Sequence, residues 1–146
     1  MTSIYFAAPL HDEADQERSR VATQKLRDAG FYVYNPLEHG VWEGMVQKKV
    51  SEGMRESDAI AEVRRHLYKM DVVAMKRCEV CVMYHGREKG PSEGQLWEAG
   101  FMKGRSKTLI LVNEVGHRFN LMPEFGADMC FTSLEDAIQW MKDEDF

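Results

Sequence analysis

Glu98 is the residue of this chain most suited to chemistry, because it lies among Leu96, Trp97, Ala99, Phe101 and Met102. A helix that is apolar around most of its circumference cannot keep every polar position in water, and an unpaired carboxylate inside it is costly. Either a structural hydrogen bond satisfies Glu98, or it faces a cleft where the helix begins and serves as nucleophile or general base. Asp71, between Met70 and Val72, borders another apolar stripe and is either a solvated or ion-paired aspartate or a second functional carboxylate. Tyr5 lies in an apolar run, so its hydroxyl needs a partner: a backbone carbonyl, or a catalytic carboxylate that it positions. Ser92 opens the Glu98 segment as a helix cap, or presents its hydroxyl and the neighbouring N–H groups to an anion. Of the five histidines, His11 is the one placed to reach such a cleft. Cys78 and Cys81 form C-x-x-C without a second pair at zinc-finger spacing, and Cys81 in its apolar run reads as a small core residue. Arg64, Arg65 and His66 read as a solvated helix face.

The elements that must position these groups follow from periodicity. Residues 3–8 (SIYFAA) read as a buried strand, and residues 12–29 as a helix with Ala14, Val21, Ala22, Leu26 and Ala29 inward, closed at Gly30. Residues 31–34 (FYVY) read as a second strand, parallel to the first through a right-handed crossover. Residues 36–57, with Val41, Trp42, Met45 and Val50 loosely spaced, read as a mobile, partly helical connection. Residues 58–76 carry Ile60, Val63, Leu67, Met70 and Ala74 at helical spacing, with Asp58 as cap. A third strand follows at 79–84, a polar loop at 85–91, and the Glu98 helix at 92–103, closed by Gly104. There Ser92 and Gln95 have the form of a capping box. A fourth strand at 108–112 leads through a loop containing Gly116, Asn120 and Pro123 to a short strand at 128–131. The last helix, 133–142, is capped by Ser133, with Leu134, Ala137, Ile138 and Met141 inward.

Alternating strands and helices specify one doubly wound α/β domain over residues 1–146, with a parallel sheet and helices on both faces. Its ligand site belongs at the carboxyl ends of the strands: the loop after strand one with Ala7, Pro9 and Leu10, the loop entering the Ser92 helix with Gly94, and the loop after strand four. No G-x-G-x-x-G follows strand one and no P-loop motif occurs, so dinucleotide and triphosphate binding lack motif support. The chain has 146 residues, 44% hydrophobic and 29% charged, which suits one domain. The formal net charge of −5 supplies no driving field for nucleic-acid polymers. Three cysteines are too few and odd in number for a disulfide framework. With no stretch near the ~20 apolar residues of a membrane span and no signal-peptide pattern at the N-terminus, the expectation is a soluble, cytoplasmic protein acting on small molecules.

Four segments together resemble the nucleoside 2-deoxyribosyltransferase family. They are Ile4-Tyr5-Phe6-Ala7-Ala8-Pro9, Asp71 in the helix before strand three, Gly94-Gln95-Leu96-Trp97-Glu98-Ala99-Gly100, and Phe119-Asn120-Leu121-Met122. The resemblance implies a Rossmann-like, flavodoxin-like domain with five parallel strands. It also implies cleavage of the glycosidic bond of a 2'-deoxynucleoside and transfer of the sugar to another base. Glu98 would match the nucleophile, Tyr5 the tyrosine that orients it, and Asp71 a carboxylate that contacts the base and helps protonate it. Asn120, with Met122 beside it, would match the segment that reaches the sugar in a neighbouring subunit's site, so a dimer-based homo-oligomer with shared sites is expected.

One position departs from the family pattern. Six residues before Glu98, many of these transferases have an aspartate, and here Ser92 stands there; Glu93 is a substitute acid within reach. Related nucleoside 5'-monophosphate N-glycosidases resemble this chain in that serine, where it can contact phosphate. The N-L-M segment resembles the transferases, and the loop AAPLHDEAD lacks a Gly/Ser/Arg phosphate cradle, so transfer is favoured. A carboxylate attacking C1' would give a covalent deoxyribosyl intermediate, resolved with net retention and needing no metal or organic cofactor. A third reading, a non-catalytic nucleotide-binding module, makes Glu98 structural.

Overall fold

The computed structural model describes residues 1–40 and 42–146. Its strands are β1 (Ser3–Ala7), β2 (Tyr32–Tyr34), β3 (Val80–His85), β4 (Thr108–Asn113) and β5 (Met129–Phe131). They form one all-parallel sheet in the order β2-β1-β3-β4-β5. The helices are α1 (Glu13–Asp28), α2 (Trp42–Ser51), α3 (Glu56–Arg77), α4 (Glu93–Gly104), α5 (Leu121–Gly126) and α6 (Leu134–Asp143). The domain is therefore the single doubly wound α/β unit expected from the alternation of strands and helices.

Strand side chains alternate between faces, which divides the core in two. Ile4, Phe6, Val80, Val82 and Ile110 pack with Leu26 of α1 and Leu134 and Met141 of α6. Tyr5, Ala7, Cys81, Met83 and Leu111 point the other way, onto Ala74 and Met75 of α3 and Ala99 and Met102 of α4. Each fully buried side chain of this size contributes about 1.5–3 kcal/mol. A smaller cluster of Val46, Ala59 and Val63 seats α2 on α3. Cys78 and Cys81 are buried free thiols; burial raises both, that of Cys78 to about 11, so neither is a ready thiolate.

Several local expectations are corrected. The inward face of α1 is Asp15, Ser19, Ala22, Thr23 and Leu26, while Ala14 and Val21 are exposed. The polar positions turn in because buried Asn35, at the end of β2, donates to Ser19 Oγ and Thr23 Oγ1, both at 2.9 Å, and accepts from the Leu37 amide at 3.0 Å. Asp12 caps α1, and Gly30, at φ +99°, makes the left-handed turn that follows it. The connection 36–57 is largely helical, a 3-10 turn at Pro36–Glu38 and then α2; Val41 lies outside the described residues. Asp58 is not the cap of α3 but sits in its first turn, paired with Arg55, which occupies the cap position without a side-chain cap bond. In α3, Ala59 and Met75 are buried where Ile60, Leu67 and Met70 are only half-buried. The segment after β4, expected as loop, contains α5, capped by Asn120.

Asn35→Ala leaves two hydroxyls in the core without partners. The expected loss is about 2–4 kcal/mol, read as a lower urea midpoint with an unchanged m-value. An unchanged midpoint would show that the hydroxyls find other partners.

Candidate active site

The sheet order reverses direction between β1 and β3, and α4 is fastened at that point. Buried Gln95 donates from Nε2 to the carbonyls of Ala7 at 3.1 Å and Tyr84 at 2.6 Å, at the carboxyl ends of both strands. The capping box is thus only half made: Ser92 Oγ accepts from the Gln95 amide at 3.2 Å, but the Gln95 side chain serves the sheet instead of returning to Ser92. Glu98, one turn further along α4, is brought over the face of the sheet that carries Tyr5.

Four side chains from four elements converge here: Tyr5 of β1, Tyr34 of β2, Asp71 of α3 and Glu98 of α4. Glu98 is half-buried as a residue, yet its Oε2 is fully buried, and neither it nor the buried Tyr5 hydroxyl has a partner of good hydrogen-bond geometry. Each acts on the other's ionisation. Burial pushes the Glu98 carboxyl up to about 7, the Tyr5 hydroxyl draws it down, and the charge of Asp71 adds to the rise. Tyr5 is held far above the ordinary phenol range by burial and by the negative charge of Glu98. The Tyr34 hydroxyl donates to Asp71 Oδ1 at 3.0 Å. Burial raises the Asp71 carboxyl, with Tyr34 and then His39 opposing the rise. The rings stack in series, Tyr5 on Tyr34 at 5.5 Å and Tyr34 on His39 at 4.1 Å. The result is two carboxylates raised by burial, each facing a tyrosine, an arrangement able to combine a nucleophile with a proton donor.

A cleft of about 580 Å³ opens at Glu98, and Leu10, His11, Ser92, Gly94 and Glu98 line it together. A Cβ on Gly94 would lie 3.6 Å from Glu98 Oε1, in ordinary van der Waals contact, so the first turn of α4 runs beside this carboxylate. Other expected site residues lie elsewhere in this chain. Ala7 is fully buried with its carbonyl held by Gln95, and Pro9 is buried against a small gap between Asp15 and Arg87. Asn120 accepts from the Met122 amide at 2.9 Å, and both residues are exposed, outside the wall of this cleft. The segment before them is anchored by buried His85, packed against His117 and Phe119. Burial, then His117 and Arg87, push His85 down to about 4, so it is neutral at neutral pH.

Tyr34, His39, His85 and Arg87 also stand at or next to the site, and the sequence carries no pattern that marks them for it. Tyr34 was visible only as a strand aromatic, and Gln95 only as part of a capping motif. Arg87 lines the cleft beside Ser92; it donates to Asp15 Oδ2 at 2.8 Å and, through Nε and Nη2, to the Gly90 carbonyl at 3.1 and 2.8 Å. Burial raises the Asp15 carboxyl, but Arg18 and Arg87 outweigh it and hold it below the ordinary range.

The family model described as nucleoside 2-deoxyribosyltransferase matches residues 4–141. No curated protein matches the sequence. Among solved structures, the chain is similar to a 2-deoxyribosyltransferase of Bacillus psychrosaccharolyticus, with 23% identity, a TM-score of 0.70 and coverage of 94% of this chain and 90% of that one. It is similar to a conserved protein of Enterococcus faecalis V583, with 17% identity, a TM-score of 0.74 and 99% of each chain covered. It is also similar to a CMP N-glycosidase of Clostridium botulinum, with 14% identity, a TM-score of 0.58 and coverage of 97% and 99%. At these identities the likeness is one of fold.

Proposed function

The chain belongs to the nucleoside 2-deoxyribosyltransferase family, and we propose on that premise that it transfers the 2-deoxyribosyl group of a 2'-deoxynucleoside to an acceptor nucleobase. The observation that carries this reading is the half-buried Glu98, which lines the cleft, is raised to about 7 by burial and is drawn down by the buried Tyr5 hydroxyl. A carboxylate oxygen of Glu98 attacks C1', and the C1'–N bond breaks with its electron pair going to the base. Asp71, raised by burial and held by Tyr34, supplies the proton that the departing base takes up. The acceptor base then attacks C1' from the vacated face, the ester bond to Glu98 breaks, and the acceptor's proton returns to Asp71. Two inversions give net retention. A 2-deoxy sugar suits this path, since no electron-withdrawing 2'-hydroxyl opposes positive charge at C1'. Tyr5 orients Glu98, and the α4 N-terminus with Ser92 and Gly94 borders the sugar together with Leu10; Ala7 and Pro9 support that wall.

Asn120 and Met122 act in a second subunit's cleft. Both are exposed, Asn120 as the cap of α5 and Met122 in its first turn, as are Leu121 and Phe125, at 60% and 82%. Tyr68, Leu96 and Trp97 on α3 and α4 are exposed as well. Apolar surface of this kind suits contact between copies, with α5 reaching across. The reading is tested by chromatography of the protein incubated with a deoxynucleoside and a foreign base. A new deoxynucleoside is expected, and release of base without exchange opposes transfer.

A second reading, hydrolysis of nucleoside 5'-monophosphates, is favoured by Arg87 standing beside Ser92 in the same cleft. Asp15 and the Gly90 carbonyl already occupy Arg87, which weakens it as a phosphate ligand. Ser92→Ala separates the two readings. For a transferase it costs the cap alone, about 1 kcal/mol of stability, with KM for the deoxynucleoside nearly unchanged. For a hydrolase it raises KM for the monophosphate about ten- to a hundredfold, because hydroxyl and dipole are worth about 1–3 kcal/mol to the phosphate. We expect the first outcome.

A further inference from the structure

A second cavity, of about 470 Å³, lies between the edge strand β2 and α3 and holds neither Glu98 nor Asp71 in its lining. Its walls are apolar and aromatic: Tyr34 and His39 at one end, Val73 along one side. His66, Lys69, Val73 and Arg77 succeed one another at three- and four-residue steps, so α3 presents one face to the cavity. Among the described residues no acidic one lines it, although the chain as a whole carries a net charge of −5. Among the described residues, Lys69 and Arg77 form no ion pair. Glu79, which is not among the lining residues, accepts from the Ser3 amide at 3.0 Å.

We propose that this groove between β2 and α3 is a binding site for a planar aromatic anion of nucleotide size, separate from the carboxylate cleft. The ring extends or enters the Tyr5–Tyr34–His39 stack, whose last two members already lie parallel within 3°. The anionic group meets Lys69 and Arg77, with His66 beside them, which is the charge complement such a ligand needs. The volume falls in the range of pockets that enclose ligands of this size. The occupant touches the ring of Tyr34, whose hydroxyl holds Asp71, so the groove and the catalytic carboxylates share one side chain. The site does not depend on the chemistry proposed above, since it is read from different residues.

Adenosine 5'-monophosphate is the probe, measured by equilibrium dialysis in the Glu98→Gln variant with a 2'-deoxynucleoside at saturation to fill the cleft. Saturable binding of one AMP per chain is expected to persist, to weaken with added salt, and to be at least tenfold tighter than that of adenosine. The double charge reversal Lys69→Glu/Arg77→Glu, at exposed positions, should weaken AMP at least tenfold in Glu98→Gln, and in the protein with its native Glu98 it should leave deoxynucleoside turnover and oligomeric state unchanged. His39→Ala should weaken AMP severalfold without altering the salt dependence. Displacement of AMP by the deoxynucleoside, or equal affinity in the charge-reversed protein, overturns the proposal. Dissociation of an oligomer on charge reversal also overturns it, because the groove then holds a second copy. A protein that binds AMP here and exchanges no base leaves this site standing and removes only the transferase reading.

Discussion

Glu98→Ala is expected to reduce base exchange by about four orders of magnitude while leaving the circular dichroism unchanged, because in the proposed mechanism it removes the atom that bonds to C1'. Retention of more than about a tenth of wild-type turnover in a folded variant would remove Glu98 from the mechanism. In the proposed mechanism the ionised form is the nucleophile, so kcat/KM in the wild type should fall about tenfold per pH unit below about 7, the value to which burial lifts this carboxyl. The same burial has a cost in stability whose sign is fixed. The folded-state value lies above the ordinary 4.5, so the folded protein binds the proton more tightly than the unfolded chain and loses stability as pH rises from about 4.5 to 7. Glu98→Gln, which keeps the shape and removes the charge, should therefore be inactive yet more stable at pH 8 by about 1–3 kcal/mol, with no gain at pH 4. Equal stability at both pH values would mean that the carboxylate is solvated.

Mixing two inactive variants, Glu98→Ala and Asn120→Ala, is expected to restore activity. If Asn120 serves the partner's cleft, random exchange in a dimer makes half the molecules heterodimers, each with one intact site. Turnover should then rise from near zero to about a quarter of wild type. Inactive mixtures despite proven subunit exchange, or full activity in a strict monomer, would place Asn120 outside the site. Its exposure beside Met122, at 71%, is the structural motive for the experiment.

The sheet and its helices were legible because each strand is an apolar run ended by a turn signal, and each long helix has a stripe at helical spacing. Glu98 stood out because a carboxylate inside Leu96–Met102 conflicts with its surroundings, and such conflicts concentrate at sites. Periodicity failed where polar residues turn inward for a specific partner. Ser19 and Thr23 are buried to meet Asn35, and Gln95 is buried to hold two strand ends, pairings made across more than ten residues of chain. Tyr34 and His39 were overlooked for a related reason: stacking on Tyr5 and bonding to Asp71 arise only when β1, β2 and α3 are assembled. α5 was read as loop because six residues containing a proline give too little pattern to show a helix.

Transfer as proposed passes through a covalent bond between deoxyribose and Glu98, and intact-protein mass spectrometry after acid quench detects that bond. With a deoxynucleoside present and no acceptor base, the wild type is predicted to carry one deoxyribosyl group per chain, on the peptide containing Glu98. Adding an acceptor base should discharge it, and Glu98→Gln should never acquire it. Exchange of bases at full rate with no such adduct at any time point, or an adduct mapped to another residue, would rule out Glu98 as the nucleophile.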